Sequence, residues 1–179
     1  RAQAGGSHKH QKEMRRVERR LAERGRLEYC AMDADETSPE WIERFLSLEA
    51  SGWKGQEGSA LAAHADSRRF FTDAATGAQR RGALQMLALE LDGVPIAMKC
   101  NFLAGNGAFA FKIAYDERYA EFSPGVLLEL FNIRYLKEAC PQVQWMDSCA
   151  RPDHPMIGRL WPDRRPIAGF LLASGFTVI

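Results

Sequence analysis

An α/β fold (α+β in the looser usage), built on a mixed central sheet of about six to seven strands with one splayed parallel pair, is what this 179-residue sequence predicts. Three observations predict it. Residues 84–91 are apolar at nearly every position, as in a central strand covered on both faces. Two turn signals, Asp92-Gly93 and Gly105-Asn106-Gly107, separate that run from two stretches of strict alternation, so residues 84–115 read as an antiparallel three-strand meander. Ser123-Pro124-Gly125 then opens a long helix to about residue 139, and residues 143–147 return as a strand. The order strand, helix, strand makes the flanking strands parallel.

The elements follow in order. Residues 1–7 read as a flexible lead-in, and residues 8–24 as a basic helix with a narrow stripe of Met14, Val17 and Leu21 and a stop at Gly25. Residues 27–32 form a short first strand. Ser38-Pro39 starts the next helix, an N-cap followed by proline at the first helical position, with Trp41, Phe45 and Leu48 as its buried face and Gly52 as its end. A glycine-rich connection, residues 52–58, leads to a helical region over 60–81 whose apolar side is Phe70, Phe71, Ala74 and Ala78. In the meander, Val94, Ile96, Met98, Cys100 and Phe102 share one face. Phe109, Phe111, Ile113 and Tyr115 share another, opposite Ala108, Ala110, Lys112 and Ala114. A polar loop follows. Beyond the long helix come the strand at 143–147, a short helix at 153–160, a strand at 165–173 and a last one at 176–179.

Composition narrows the function classes. The length fits one domain, residues 8–179 with residues 8–25 as its basic first helix, and the absence of an initial methionine reads as a piece of a longer protein. A net charge of +1 speaks against a dedicated DNA binder. The charge is uneven, with nine Lys or Arg against three Glu in residues 1–26, which reads either as a solvated helix face or as a site for an anionic partner. Cys30, Cys100, Cys140 and Cys149 form no CxxC and read as reduced, mostly buried thiols of a cytoplasmic protein. No stretch approaches the roughly 20 apolar residues of a membrane span.

The chemistry gathers where the parallel pair splays. Ser123 caps the long helix, Pro124 presets its first turn and Gly125 lets an anion approach the backbone. Free N–H groups and the positive end of the helix dipole there suit a pyrophosphate.

The chain resembles the GNAT-like acetyltransferase family often called BioF2-like or CelD-like, bacterial and related to the FemAB transferases. The matching residues are the basic helix ending Leu21-Ala22-Glu23-Arg24-Gly25, Gly52-Trp53-Lys54-Gly55, Phe70-Phe71 and the run from Ala110 to Asp116. They continue with Tyr119, Ser123-Pro124-Gly125-Val126-Leu127-Leu128, Asp147-Ser148-Cys149 and the run from His154 to Trp161. Where the usual pyrophosphate loop is glycine-rich with a leading Gln or Arg, this chain has a single Gly125 after Ser-Pro. The resemblance implies helices on both faces of the sheet and acyl transfer from acetyl-CoA or another acyl-CoA to an amine, with hydroxyl as a second acceptor class. The acceptor would be a small molecule or a glycan or peptide amine, in envelope or exopolysaccharide metabolism, and no metal is implied.

The needs of that reaction fall on named residues. Phe111, Lys112, Ile113 and Ala114 offer the backbone for the donor arm, and Ser123, Pro124, Gly125, Val126 and Leu127 the anion site. Asp147 or His154 takes the acceptor's proton, Tyr115 or Tyr119 protonates the departing thiolate, and Trp53, Lys54 and Tyr119 face the acceptor. Each has a plainer reading: Asp147 as a turn residue, His154 as a helix start, Lys112 as an outward solvated lysine, Trp53 as packing on the sheet edge and Cys149 as a buried thiol. Two further functions stay open. One is a FemAB-like transferase using aminoacyl-tRNA, favoured by the basic helix. The other is a non-catalytic binding or assembly module with this fold.

Overall fold

The computed structural model describes residues 8–33, 36, 38–151, 153–161, 163, 164, 166 and 169. Its elements are α1 (His8–Ala22), β1 (Leu27–Ala31), α2 (Ser38–Ser51), α3 (Trp53–Gln56), α4 (Ala65–Arg80), β2 (Leu84–Leu91), β3 (Val94–Ala104), β4 (Gly107–Tyr115), α5 (Pro124–Ala139), β5 (Trp145–Asp147) and α6 (Pro155–Leu160). Short 3-10 turns at Leu61–Ala63 and Glu117–Phe122 precede α4 and α5. The expected helix over 60–81 is thus split in two, the polar loop after Tyr115 is helical, and the strand expected from residue 143 is confined to three residues. The strands expected at 165–173 and 176–179 lie almost wholly outside the described residues, as does the 1–7 lead-in.

Among the described residues five strands lie in chain order, β1-β2-β3-β4-β5, antiparallel except for the β4–β5 pair. Tight turns explain the meander. Asp92 and Gly93 both adopt positive φ, 52° and 77°, as a two-residue hairpin turn matching the twist of its strands requires.

Helices cover both faces. One core joins Phe45 of α2 and Phe71 of α4 to Met86, Met98 and Cys100 of the sheet. The other joins Leu21 of α1 and Leu127 and Leu128 of α5 to Leu87, Leu89 and Ile96. Burial on both sides is why β2 is apolar along its length. On α4 the inward stripe is Phe71, Ala75 and Ala78, a helical i, i+4, i+7 set. Phe70, expected beside Phe71 on the apolar side, is 65% exposed, because adjacent positions on a helix diverge by about 100°.

Alternation fails once in β4. Cys100 pairs with Lys112 and Asn101 with Ala110, so Phe111 is an extra residue, a β-bulge. Phe111 packs into the α2–α4 core, whereas Ile113 packs into the α5 core. The expected single face of Phe109, Phe111, Ile113 and Tyr115 is therefore broken between Phe111 and Ile113. The bulge also turns Lys112 to the α2 side, where its Nζ lies 2.7 Å from Glu49 Oε1.

Candidate active site

The parallel pair is short. Gly107, Ala108 and Phe109 of β4 stand opposite Trp145, Met146 and Asp147 of β5. Beyond that, among the described residues, 110–115 pair only with β3. The closed end is clamped. Gln144 N–H donates to the Asn106 carbonyl at 2.8 Å. Asn106 Nδ2 donates to Gln144 Oε1 at 2.8 Å, and Trp145 Nε1 donates to Asn106 Oδ1 at 3.1 Å. The indole lies so close over Gly107 that a Cβ there would meet Trp145 Cζ2 at 2.3 Å, so this position takes no side chain. Phe109 meets the same indole edge-on, with centroids 5.2 Å apart. At the other end the bulge bends β4 and increases its twist, which fits its divergence from β5. The result, among the described residues, is a strand edge of six residues without a second partner strand.

The start of α5 closes that edge. A Cβ on Gly125 would lie 3.7 Å from Ile113 Cδ1 and 3.7 Å from Tyr115 Cδ1, so the helix begins against the end of β4. Pro124 has no N–H, and Val126 and Leu127 donate theirs to the Ser123 carbonyl at 2.9 and 3.1 Å. Ser123 occupies the N-cap position, but the expected side-chain cap is absent. Its backbone is left-handed (φ 47°, ψ 51°) because the 3-10 turn runs straight into it, with Ser123 N–H donating to Ala120 O at 2.9 Å. A side-chain cap needs the extended backbone instead.

The other expected residues are spread along the split. Tyr115, 36% exposed, ends β4, and Tyr119 is half-buried in the 3-10 turn beside it. Phe111 stacks on Phe71 at 5.6 Å, so its ring belongs to the core and only its backbone faces the edge. Ala114 and Leu127 are buried and Val126 is half-buried. Lys112 is neither free nor outward, being held by Glu49. Asp147 stands opposite Phe109, six positions from Tyr115, which is roughly 20 Å along an extended strand. The two therefore flank opposite ends of the open edge and do not meet. Asp147 Oδ1 accepts from Cys149 N–H at 2.7 Å, a turn that holds Cys149 at φ 50°. Cys149, expected as a buried thiol, is instead exposed, because the turn leads the chain out of β5. Partial desolvation first, and then the Asp147 carboxylate, still push its thiol up, away from the thiolate a nucleophile needs. His154 is the N-cap of α6, its Nδ1 accepting from Ile157 N–H at 3.4 Å. Trp53 and Lys54 open α3, and their side chains lie outside the described residues. Asp116, which leads into the 3-10 turn, is held below the usual carboxylate range by its hydrogen bonds to Arg118.

Sequence reasoning missed the buried polar residues under this edge. Lys99 Nζ lies 2.8 Å from Glu129 Oε2, with side-chain exposures of 4% and 1%. Asn132 Nδ2 donates to Glu129 Oε1 at 3.0 Å, and Asn101 Nδ2 donates to Asn132 Oδ1 at 3.0 Å and to Gln85 Oε1 at 2.6 Å. Asn132 also reaches Met146 Sδ of β5 at 3.3 Å, which sets the network beneath the point of divergence. The signal was present. A strand beside β2, apolar but for Gln85 and Glu90, is itself covered on both faces, so Lys99 and Asn101 had to be buried, and Glu129 and Asn132 stand three apart within the apolar run that opens α5.

Comparison with known proteins gives the family and the fold. A family model described as an acetyltransferase (GNAT) domain matches residues 8–155. No curated protein matches. Among solved structures, an aminoglycoside acetyltransferase from an uncultured soil metagenomic sample, in complex with sisomicin, superposes with a TM-score of 0.56 at 9% identity, over 83% of this chain and 97% of its own. AAC(6')-Iy, in complex with a bisubstrate analog CoA-S-monomethyl-acetylneamine, does so with 0.55 at 13% identity, over 84% and 100%. An acetyltransferase of Trypanosoma brucei gives 0.51 at 11% identity, over 83% and 99%. At these identities the likeness is one of fold. With the family match over most of the chain, it makes the protein an acetyltransferase that belongs to the GNAT family.

Proposed function

We propose that this domain transfers an acyl group, acetyl in the first instance, from acyl-CoA to an amine of a small molecule, glycan or peptide. The observation that carries the reading is the divergence of β4 from β5 after Phe109 and Asp147, with the start of α5 against the open edge. In this reading the backbone of Phe111, Lys112, Ile113 and Ala114 pairs with the amides of the pantetheine arm. The start of α5, Ser123 to Leu127, faces the pyrophosphate, where a helix N-terminus favours anions. The acceptor nitrogen attacks the thioester carbonyl carbon, the C–S bond breaks, and the nitrogen's proton passes to a base. Asp147, nearer the closed end, suits that base better than His154, whose Nδ1 is engaged as a cap. Tyr115 and Tyr119, expected as proton donors to the thiolate, stand beside the start of α5 at the far end of the edge from Asp147, so in this reading the thiolate takes its proton from water, and α3, with Trp53 and Lys54, borders the acceptor. The motif order favours the BioF2-like or CelD-like branch, a bacterial cytoplasmic enzyme, with the domain spanning residues 8–179. No helix among the described residues is long and apolar enough to cross a membrane.

The test is calorimetric titration with acetyl-CoA and longer acyl-CoAs, followed by amide hydrogen exchange with and without the ligand. Micromolar binding that protects residues 110–115 and 123–127 is expected. Binding of no acyl-CoA, or protection elsewhere only, would sink the reading.

A further inference from the structure

Two Lys–Glu pairs flank the open half of β4, one on each face of the sheet. On the α5 side, Lys99 and Glu129 are both sealed from water. On the α2 side the pair is lopsided: Glu49 is 1% exposed and Lys112 26%. Sealing a carboxylate costs several kcal/mol unless strong donors compensate it, and Glu49 has donors from two different elements. Lys112 Nζ, brought to this face by the bulge, lies 2.7 Å from Oε1. Leu61 N–H, at the far end of the connection between α2 and α4, donates to Oε2 at 2.8 Å. One buried carboxylate thus closes a twelve-residue loop and ties its base to the half of β4 that, among the described residues, pairs with β3 alone. The loop touches that strand a second time. A Cβ on Gly52 would lie 3.4 Å from Glu117 Oε1 and 3.8 Å from the Tyr115 carbonyl oxygen.

We infer that Glu49 is a positioning residue: its carboxylate clasps Lys112 and Leu61 so that residues 50–60, including α3, lie over the open half of β4 and hold an acceptor in register with the donor. The inference rests on reading that half-strand as the donor site. Glu49 touches no reacting atom in this scheme. It acts through the loop it closes, and the bulge at Phe111 exists in part to deliver Lys112 to it.

Hydrogen exchange on the full chain tests the clasp without knowledge of the acceptor. In Glu49→Gln the charge-assisted bond is lost while shape is kept, so amides of residues 50–61 should exchange about tenfold faster while β2, β3 and α4 keep their rates. Acetyl-CoA should protect 110–115 in both proteins and 50–61 in the parent alone. Should Glu49→Gln fail to fold, Glu49→Met combined with Lys112→Met replaces the pair by apolar groups of similar length. It is expected to melt near the parent yet lose the ligand-dependent protection of 50–61, a readout that a merely structural ion pair does not move. Parent-like exchange of 50–61 in the variants, or acetyl-CoA protecting 110–115 while leaving 50–61 of the parent unaltered, overturns the inference. If acetyl-CoA leaves 110–115 of the parent unprotected, the donor-site reading itself fails and takes the positioning role with it, even where the loop has loosened.

Discussion

Among the described residues, β4 is paired with a strand on each side over residues 107–109 and with β3 alone over residues 110–115. The two stretches belong to one strand and one alternating sequence, and their difference lies in what stands around them. At the closed end Gly107 leaves room for the Trp145 indole against the backbone, and Asn106 makes three hydrogen bonds, two with Gln144 and one with Trp145. At the open end a bulge changes the parity of the strand, and two lysines reach glutamates on opposite faces. A sheet edge left unpaired is a liability unless something covers it. In the proposed reading the amides of the donor arm take up that edge, with the start of α5 and the connection after α2 beside it.

The largest effects are expected where a charge is left alone. Lys99→Met strands the buried Glu129 carboxylate and should cost about 3–5 kcal/mol, whereas Lys99→Met with Glu129→Leu should recover most of that loss. Urea unfolding of the four proteins of this cycle measures it. A double variant as unstable as the single would mean that Gln85, Asn101 and Asn132 depend on the pair for their own geometry.

Next comes the closed end. Gly107→Ala puts a methyl 2.3 Å from the Trp145 ring, an overpacking that should cost about 1–3 kcal/mol. The consequence that separates the halves is local: exchange should rise at 107–109 and 145–147 and stay at parent level in β2 and β3. Global loosening would mean that the β4–β5 clamp supports the whole sheet and not only its last strand.

How far all this was legible in the residues differs between the same two regions. The meander, its turns, the parallel return and the helix start are carried by local signals: the Asp92-Gly93 turn, alternation, and Ser123-Pro124 before an apolar run. What escaped reading depends on tertiary context. No local signal marks Phe111 as the extra residue of a bulge, since Phe109, Phe111 and Ile113 alternate without a break. Ser123 looks like a side-chain cap because the residues alone do not show a 3-10 turn running into it. Glu49 lies in the last turn of a helix, where a solvated glutamate is the ordinary expectation, and its burial follows only from Lys112 arriving on the α2 face. The candidate site was therefore readable as a place, and less so as a set of side chains.

The smallest expected effect probes the wall opposite the bulge. Cys100, paired with Lys112, is fully buried, and burial pushes its thiol up to about 12 from 9.0. Since the folded value lies above the unfolded one, the stabilisation is complete below about pH 9 and is lost as pH rises toward the folded value. In that window the unfolded chain sheds the thiol proton and the folded chain keeps it. Parent stability should therefore fall faster with alkali than that of Cys100→Ala, whose cavity cost is the same at every pH. Other thiols and Tyr29 titrate in both proteins and cancel in the difference. Between pH 9 and pH 10 the gap between the two, read from urea midpoints, should change by about 1 kcal/mol in favour of the variant. A gap that stays constant would mean that water reaches the sheet at Cys100, and that the bulge opens the α2 face as well as the edge.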